Sequence, residues 1–265
     1  MTITTPHTEY GDRDLALGGE ILRTVVGSGV HGIAIEGTDD HDEMGVFIEP
    51  PEHVLGLNRP VEHYVFRTQP EGARSGPGDT DLVIYALRKY LRLATKGNPT
   101  VLLPLYAPAD AIVVSHPLGE ELRALASAVV SRRAVHRFVG YMHAQRELLI
   151  GHKPSGLPKR PELVARYGYD VKYASHALRL AYQGLEIVRD GGLTLPMPAQ
   201  ERERVLQVKR GDVPAIEDVL DEISGVRAQI EERLATGRTP LPAEPDLATI
   251  SEWSVGAHRR HWGWT

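Results

Sequence analysis

The stretch from Val25 to Ile48 constrains this chain more than any other. It reads as an apolar strand, then Gly27-Ser28, then a short glycine-bearing segment, then Asp40 and Asp42, then a second apolar strand. Leu22, Thr24 and Val26 alternate with Arg23 and Val25, as strand residues do. Gly27 lets the backbone turn and lets a ligand approach closely. The Ser28 hydroxyl and the N–H groups of such a turn suit phosphate oxygens. Asp40 and Asp42 stand at i and i+2, so on an extended segment they share one face. Two carboxylates on one face repel each other unless a cation lies between them. Mg²⁺ with phosphate oxygens is the usual partner of such a pair, and paired metals on shared carboxylates serve in-line displacement.

Gly27-Ser28 followed by Asp40-His41-Asp42 and Met44-Gly45-Val46-Phe47-Ile48 resembles the signature of DNA-polymerase-β-like nucleotidyltransferases. That superfamily often has Ser before the first Asp; Asp39 stands there in this chain. The resemblance implies a third carboxylate on a neighbouring strand, which helps hold metal and assists the attacking hydroxyl. Asp81 heads the apolar run to Tyr85 and is the choice, with Asp79 as the alternate. The resemblance also implies that Gly27 and Ser28 hold the β- and γ-phosphates.

Further blocks resemble one family in particular, the RNA-repair-pathway DNA polymerase β family. After Asp81 come L-R-K-Y-L-R-L and K-G-N-P-T-V-L, ending at Leu102. A Glu often follows in that family; Leu103 and Pro104 follow here. Farther on, Y-G-Y-D-V-K-Y-A-S-H-A-L-R-L matches from Tyr167 to Leu180. At helical spacing, Tyr169, Lys172, His176, Arg179 and Gln183 share a side. Lys172, His176 and Arg179 are therefore candidates to bind a triphosphate or an RNA backbone; a plain polar face toward solvent is the alternative.

The implied fold is α+β: a polymerase-β-like domain with a mixed sheet flanked by helices over residues 1–115, then a helical C-terminal domain over 116–265, with the active site between them. Local patterns predict strands over Asp42–Glu49, Val61–Gln69 and Ala111–Val114. They predict helices over Pro117–Val130, Arg132–Ile150, Glu201–Val208 and Val213–Ala235, and a short strand or turn over 193–196. Residues 1–12 read as a loose lead-in, 70–79 as a Gly/Pro-rich loop and 236–248 as a proline-rich linker. The tail H-R-R-H-W-G-W offers indoles for base stacking or for packing on each other.

Charge supports this polarity. From Glu36 to Glu52 every charged residue is acidic, counting Asp, Glu, Lys and Arg. From Ser131 to Leu180 ten bases, from Arg132 to Arg179 and including Lys153, Lys159 and Arg160, outnumber Glu147, Glu162 and Asp170. An acidic half beside a basic half suits an enzyme that holds a polyanion against metals. The net charge of −5 argues against a uniformly basic coat protein. With no cysteine, disulfides, zinc ribbons and thiol catalysis are excluded. No signal peptide is visible and no apolar run reaches membrane-spanning length, so a cytoplasmic protein is expected. The expected activity is transfer of NMP from an NTP to a hydroxyl, using Mg²⁺ or Mn²⁺, with an RNA or tRNA end as the acceptor implied by the resemblance. The alternatives are a non-catalytic nucleotide- or RNA-binding protein, a transferase acting on protein or a small molecule, and an Asp-cluster phosphohydrolase.

Overall fold

The structure is a computed structural model that describes residues 7–151 and 160–264. The basic loop at 152–159, with Lys153 and Lys159, lies outside the described residues. The chain divides into two compact units. One holds the chain up to Thr95, Thr100–Val129 and everything from Pro245; the other holds Lys96–Pro99 and Val130–Glu244.

The first unit is built on a six-stranded mixed sheet. Its strands are β1 (Thr8–Tyr10), β2 (Glu20–Val25), β3 (His41–Phe47), β4 (His63–Arg67), β5 (Thr80–Ala86) and β6 (Ile112–Ser115). They lie in the order β1-β4-β5-β3-β2-β6. Only β3 and β5 pair parallel; the other neighbours are antiparallel. Helices α1 (Arg13–Gly18), α2 (Gly27–His31), α3 (Pro51–Val54), α4 (Leu87–Ala94), α5 (Leu103–Tyr106), α6 (Pro117–Ala124) and α7 (Ala126–Val129) accompany the sheet. The β2 alternation holds: Leu22, Thr24 and Val26 are buried while Arg23 and Val25 are partly exposed. On the other side of Gly45, Val46 and Phe47 are both fully buried. In α4, Leu87, Tyr90, Leu91 and Ala94 face the core at helical spacing. The helix stops at Thr95, whose hydroxyl donates to the Leu91 carbonyl at 2.7 Å.

The region expected as one helix from Pro117 is two, because Leu125 leaves helical geometry (φ −78°, ψ 2°). The lead-in contributes β1, which pairs with β4. A larger difference lies at the end of the chain. Helix α13 (Leu247–His261) begins where a linker was expected to finish. Asp246 caps it by accepting from the Thr249 N–H at 3.0 Å. Ile250, Ala257 and His258 form its buried stripe. The tail indoles pack on each other, with Trp262 and Trp264 ring centroids 4.8 Å apart.

The second unit is helical: α8 (Arg132–Leu149), α9 (Pro161–Tyr167), α10 (Val171–Asp190), α11 (Ala199–Arg210) and α12 (Ile216–Ala235). Residues 193–196 form no strand. Helix α10 is the hub, packed against α8, α11 and α12. Its N-terminus is capped by Asp170, which accepts from the N–H groups of Lys172 and Tyr173. Gly184 lets Phe138 of α8 and Ile230 of α12 close on it; a Cβ there would lie 3.3 Å from each. The polar side of α10 is partly solvated: Lys172 is exposed, His176 and Arg179 are half-buried and Tyr169 is buried. Gln183 is 1% exposed, and Ser175 and Glu186 are buried too. No helix among the described residues is long and apolar enough to cross a membrane.

Candidate active site

Two strands bring the acids together. Asp40 leads into β3, Asp42 lies on it, and Asp42 is the direct register partner of Asp81 on the parallel strand β5. Side chains at partnered positions share a face of a sheet. One carboxylate oxygen from each of Asp40, Asp42 and Asp81 lies within 4.8 Å of the others. Three oxygen donors at that spacing fit a hard divalent cation such as Mg²⁺ or Mn²⁺.

The turn after β2 sits directly beneath this cluster. The Val26 N–H donates to the Asp42 carbonyl at 2.9 Å. Gly27 follows with φ +63°, where a side chain is strained, and a Cβ on it would lie 2.0 Å from Asp42 Oδ2. Glycine is therefore required twice over, by its φ and by the carboxylate against it. Ser28 is partly exposed beside it.

The acids differ in their electrostatics. Burial, then repulsion from Asp40 and Asp81, pushes the Asp42 carboxyl up to about 6. Asp81 is also penalised by burial, but hydrogen bonds from Arg67, Gln69 and Ser75 outweigh that and hold it below the usual carboxylate range. Arg67 is the register partner of Asp81 across β4 and β5, and grips it with Nε at 3.1 Å and Nη2 at 2.8 Å. Gln69 Nε2 donates to Oδ1 at 2.8 Å and Ser75 Oγ to Oδ2 at 2.9 Å. Each oxygen of Asp81 accepts two of these bonds, so a cation or a hydroxyl reaches it only as the Gln69 and Ser75 side chains turn away. Local sequence gave no sign of them: Arg67 arrives by strand register, and Ser75 by the fold-back of the 70–79 loop. Asp79, the alternate, instead accepts from Thr68 Oγ1 and the Gly76 N–H, both at 2.9 Å.

Two expectations follow from these charges. A cation must displace the Asp42 proton, which is bound below pH 6 and absent above it. Mn²⁺ affinity measured by calorimetry should therefore be level above about pH 7 and fall up to about tenfold per unit below about pH 6. Arg67→Met removes the strongest partner of Asp81, so the Asp81 pKa rises toward its ordinary value. Arg67 also holds the Asp42 carboxyl down, so its loss pushes Asp42 above about 6. The acid limb of the activity profile, set by Asp42, should then move to higher pH, with a larger loss at about pH 6 than at about pH 8.5.

The remaining candidates lie on α10 of the second unit. Lys172 is exposed. His176 is held neutral, its pKa driven down to about 3 by burial and by Arg179 and Arg160. Arg179 keeps some exposed surface, yet burial lowers its pKa to about 10, and its Nη1 donates to Gln183 Oε1 at 2.8 Å. Part of the basic stretch is engaged within the unit: Arg160 pairs with Asp170 at 3.1 Å, Arg146 with Glu147 at 3.1 Å, and Arg133 with Glu244 at 2.5 Å. The acidic run is likewise partly engaged, since Glu43 pairs with Arg23 at 3.2 Å and Glu49 is buried. Leu103 and Pro104 are buried in α5, so those positions supply no acid.

The family model described as RlaP, RNA repair pathway DNA polymerase beta family, matches residues 19–248. No curated protein matches the chain.

Proposed function

Because the chain belongs to the RNA repair pathway DNA polymerase beta family, we propose that it transfers a nucleoside monophosphate from an NTP to the hydroxyl of an RNA end, tRNA among the candidates. The observation that carries this reading is the convergence of Asp40, Asp42 and Asp81 above the Gly27 turn. Those acids would hold Mg²⁺ or Mn²⁺, which when bound neutralises phosphate charge and makes the attacking hydroxyl more acidic. The Gly27-Ser28 turn would hold the outer phosphates through its N–H groups and hydroxyl. Asp81, kept ionised by Arg67, would accept from the attacking hydroxyl once the Ser75 hydroxyl turns away. The new bond joins the acceptor oxygen to the α-phosphorus, the α–β bridging bond breaks, and pyrophosphate leaves. Catalysis of this type is mainly positioning and charge neutralisation. Lys172 and Arg179 are proposed to contact phosphates of a bound polyanion, with neutral His176 as a hydrogen-bonding neighbour. The proposed setting is the cytoplasm, where NTPs and RNA meet.

The test is incubation of the protein with each α-³²P-labelled NTP, Mg²⁺ or Mn²⁺, and total RNA, beside Asp40→Asn/Asp42→Asn. Label in RNA with the intact protein alone supports the proposal and names the base. Label in protein instead would refute the RNA acceptor while keeping the transfer chemistry. Nucleotide binding without label anywhere would refute transfer.

A further inference from the structure

The first unit contains a cavity of about 690 Å³ that the acidic cluster does not use. It lies among the C-terminal end of α3, one face of α4 and helix α13. Leu91 and Ile250 are its buried apolar residues, and Leu55, Leu247, Val255 and Trp264 contribute exposed apolar surface. Three guanidinium groups join them: Arg88 and Arg92, one turn apart on α4, and Arg259 on α13. None of the three forms an ion pair or a hydrogen bond through its side chain with any described residue. The neighbouring Arg260, by contrast, holds Glu121 with both terminal nitrogens.

The walls are fixed without a ligand. Trp253 Nε1 donates to Glu121 at 2.8 Å, and Trp262 Nε1 donates to the Glu49 carbonyl at 2.9 Å. His258 also lines the cavity and is 6% exposed. Its Nδ1 is bonded to the Ser254 carbonyl at 2.7 Å, and its Nε2 faces the buried Glu49 carboxylate at 3.7 Å, so it is held by the fold and not offered to a ligand. A preformed, mostly apolar concavity of this size with a few polar groups has the character of a small-molecule site.

Charge selects the ligand. Three arginines without a close ion pair, of which Arg92 feels the Glu62 carboxylate that Lys89 holds, stand beside an apolar floor and favour a molecule with an anionic head and a hydrocarbon body. A nucleobase fits less well, because its polar edge needs partners and the lining offers mainly Ser251, Ser254 and Thr95, the last already donating to Leu91. We propose that this cavity binds a single-chain acyl anion, its carboxylate or phosphate head on Arg88, Arg92 and Arg259 and its chain against Leu91, Ile250 and Val255. The proposal does not rest on nucleotidyl transfer.

The test uses the full chain and the fluorescent anion 1-anilinonaphthalene-8-sulfonate. Decanoate, decyl phosphate, decanol and ATP serve as competitors. The expected result is one saturable site from which decanoate or decyl phosphate displaces the probe at least tenfold better than decanol; the better of the two names the head group. Arg88→Gln/Arg92→Gln should weaken binding at least tenfold. Ser251→Trp, at an exposed position, should do so by filling the cavity. Circular dichroism verifies that both variants fold, and Asp40→Asn/Asp42→Asn should bind as the parent does. Binding unchanged in both cavity variants, decanol equal to decanoate, or ATP displacing better than either acyl anion would each overturn the proposal.

Discussion

Asp42→Asn should abolish nucleotide transfer and at the same time make the metal-free protein more stable. The substitution keeps shape and removes charge. Asp42 ionises near 6 in the folded chain and near 3.8 when its environment is lost. As pH rises from about 4 to 6 the unfolded chain gives up this proton first, so folding loses stability over that window. Above pH 6 the full penalty is present. A shift of this size corresponds to at most about 3 kcal/mol, and about 1–2 kcal/mol is expected because the group is only partly buried. In EDTA at pH 7.5 the variant should therefore melt a few degrees higher than the parent. At pH 4 the two should melt together. Transfer, which needs the carboxylate on the metal, should fall on the order of a thousandfold. Excess Mg²⁺ should stabilise the parent and leave the variant unmoved. Equal melting in EDTA at both pH values would refute the electrostatic account of Asp42.

Gly27→Ala should be nearly as damaging, although it changes no functional group. The new Cβ would stand 2.0 Å from Asp42 Oδ2, so the carboxylate must move. The left-handed φ of +63° adds about 1–2 kcal/mol of backbone strain. Mn²⁺ affinity and transfer should each drop about a hundredfold or more, with a stability loss of about 1–2 kcal/mol. Gly37→Ala separates the two causes. Gly37 has φ +74° but nothing within 4 Å of a Cβ, so it should lose stability and keep activity. If both variants retained metal binding, the contact between the Gly27 turn and Asp42 would have no functional weight.

The parts of the site that sequence showed are those written in local spacing. Asp40 and Asp42 stand two apart before an apolar run, and Asp81 heads another; strand geometry puts such positions on one face. The mixed sheet flanked by helices and the helical C-terminal region followed from the same patterns and the family resemblance. What stayed hidden depends on partners distant in sequence. Arg67 meets Asp81 through antiparallel register, and Ser75 through a loop that folds back. On the side of α10 that looked polar, Lys172 is exposed and His176 and Arg179 partly so, while Gln183 is buried and accepts from Arg179 at 2.8 Å. Helix α13 was obscured by the prolines before it. Its signal was present in Asp246 with Thr249 as a cap, followed by Ile250, Ala257 and His258 at helical spacing.

The central claim is that the three acids serve attack at the α-phosphorus of an NTP. The most direct measurement runs parallel reactions with α-³²P- and γ-³²P-labelled NTP of the base that the RNA accepts. The account predicts α-label on the acceptor, matched mole for mole by γ-label released as pyrophosphate. The γ-label on the acceptor, or release of inorganic phosphate with no acceptor labelled, would contradict it.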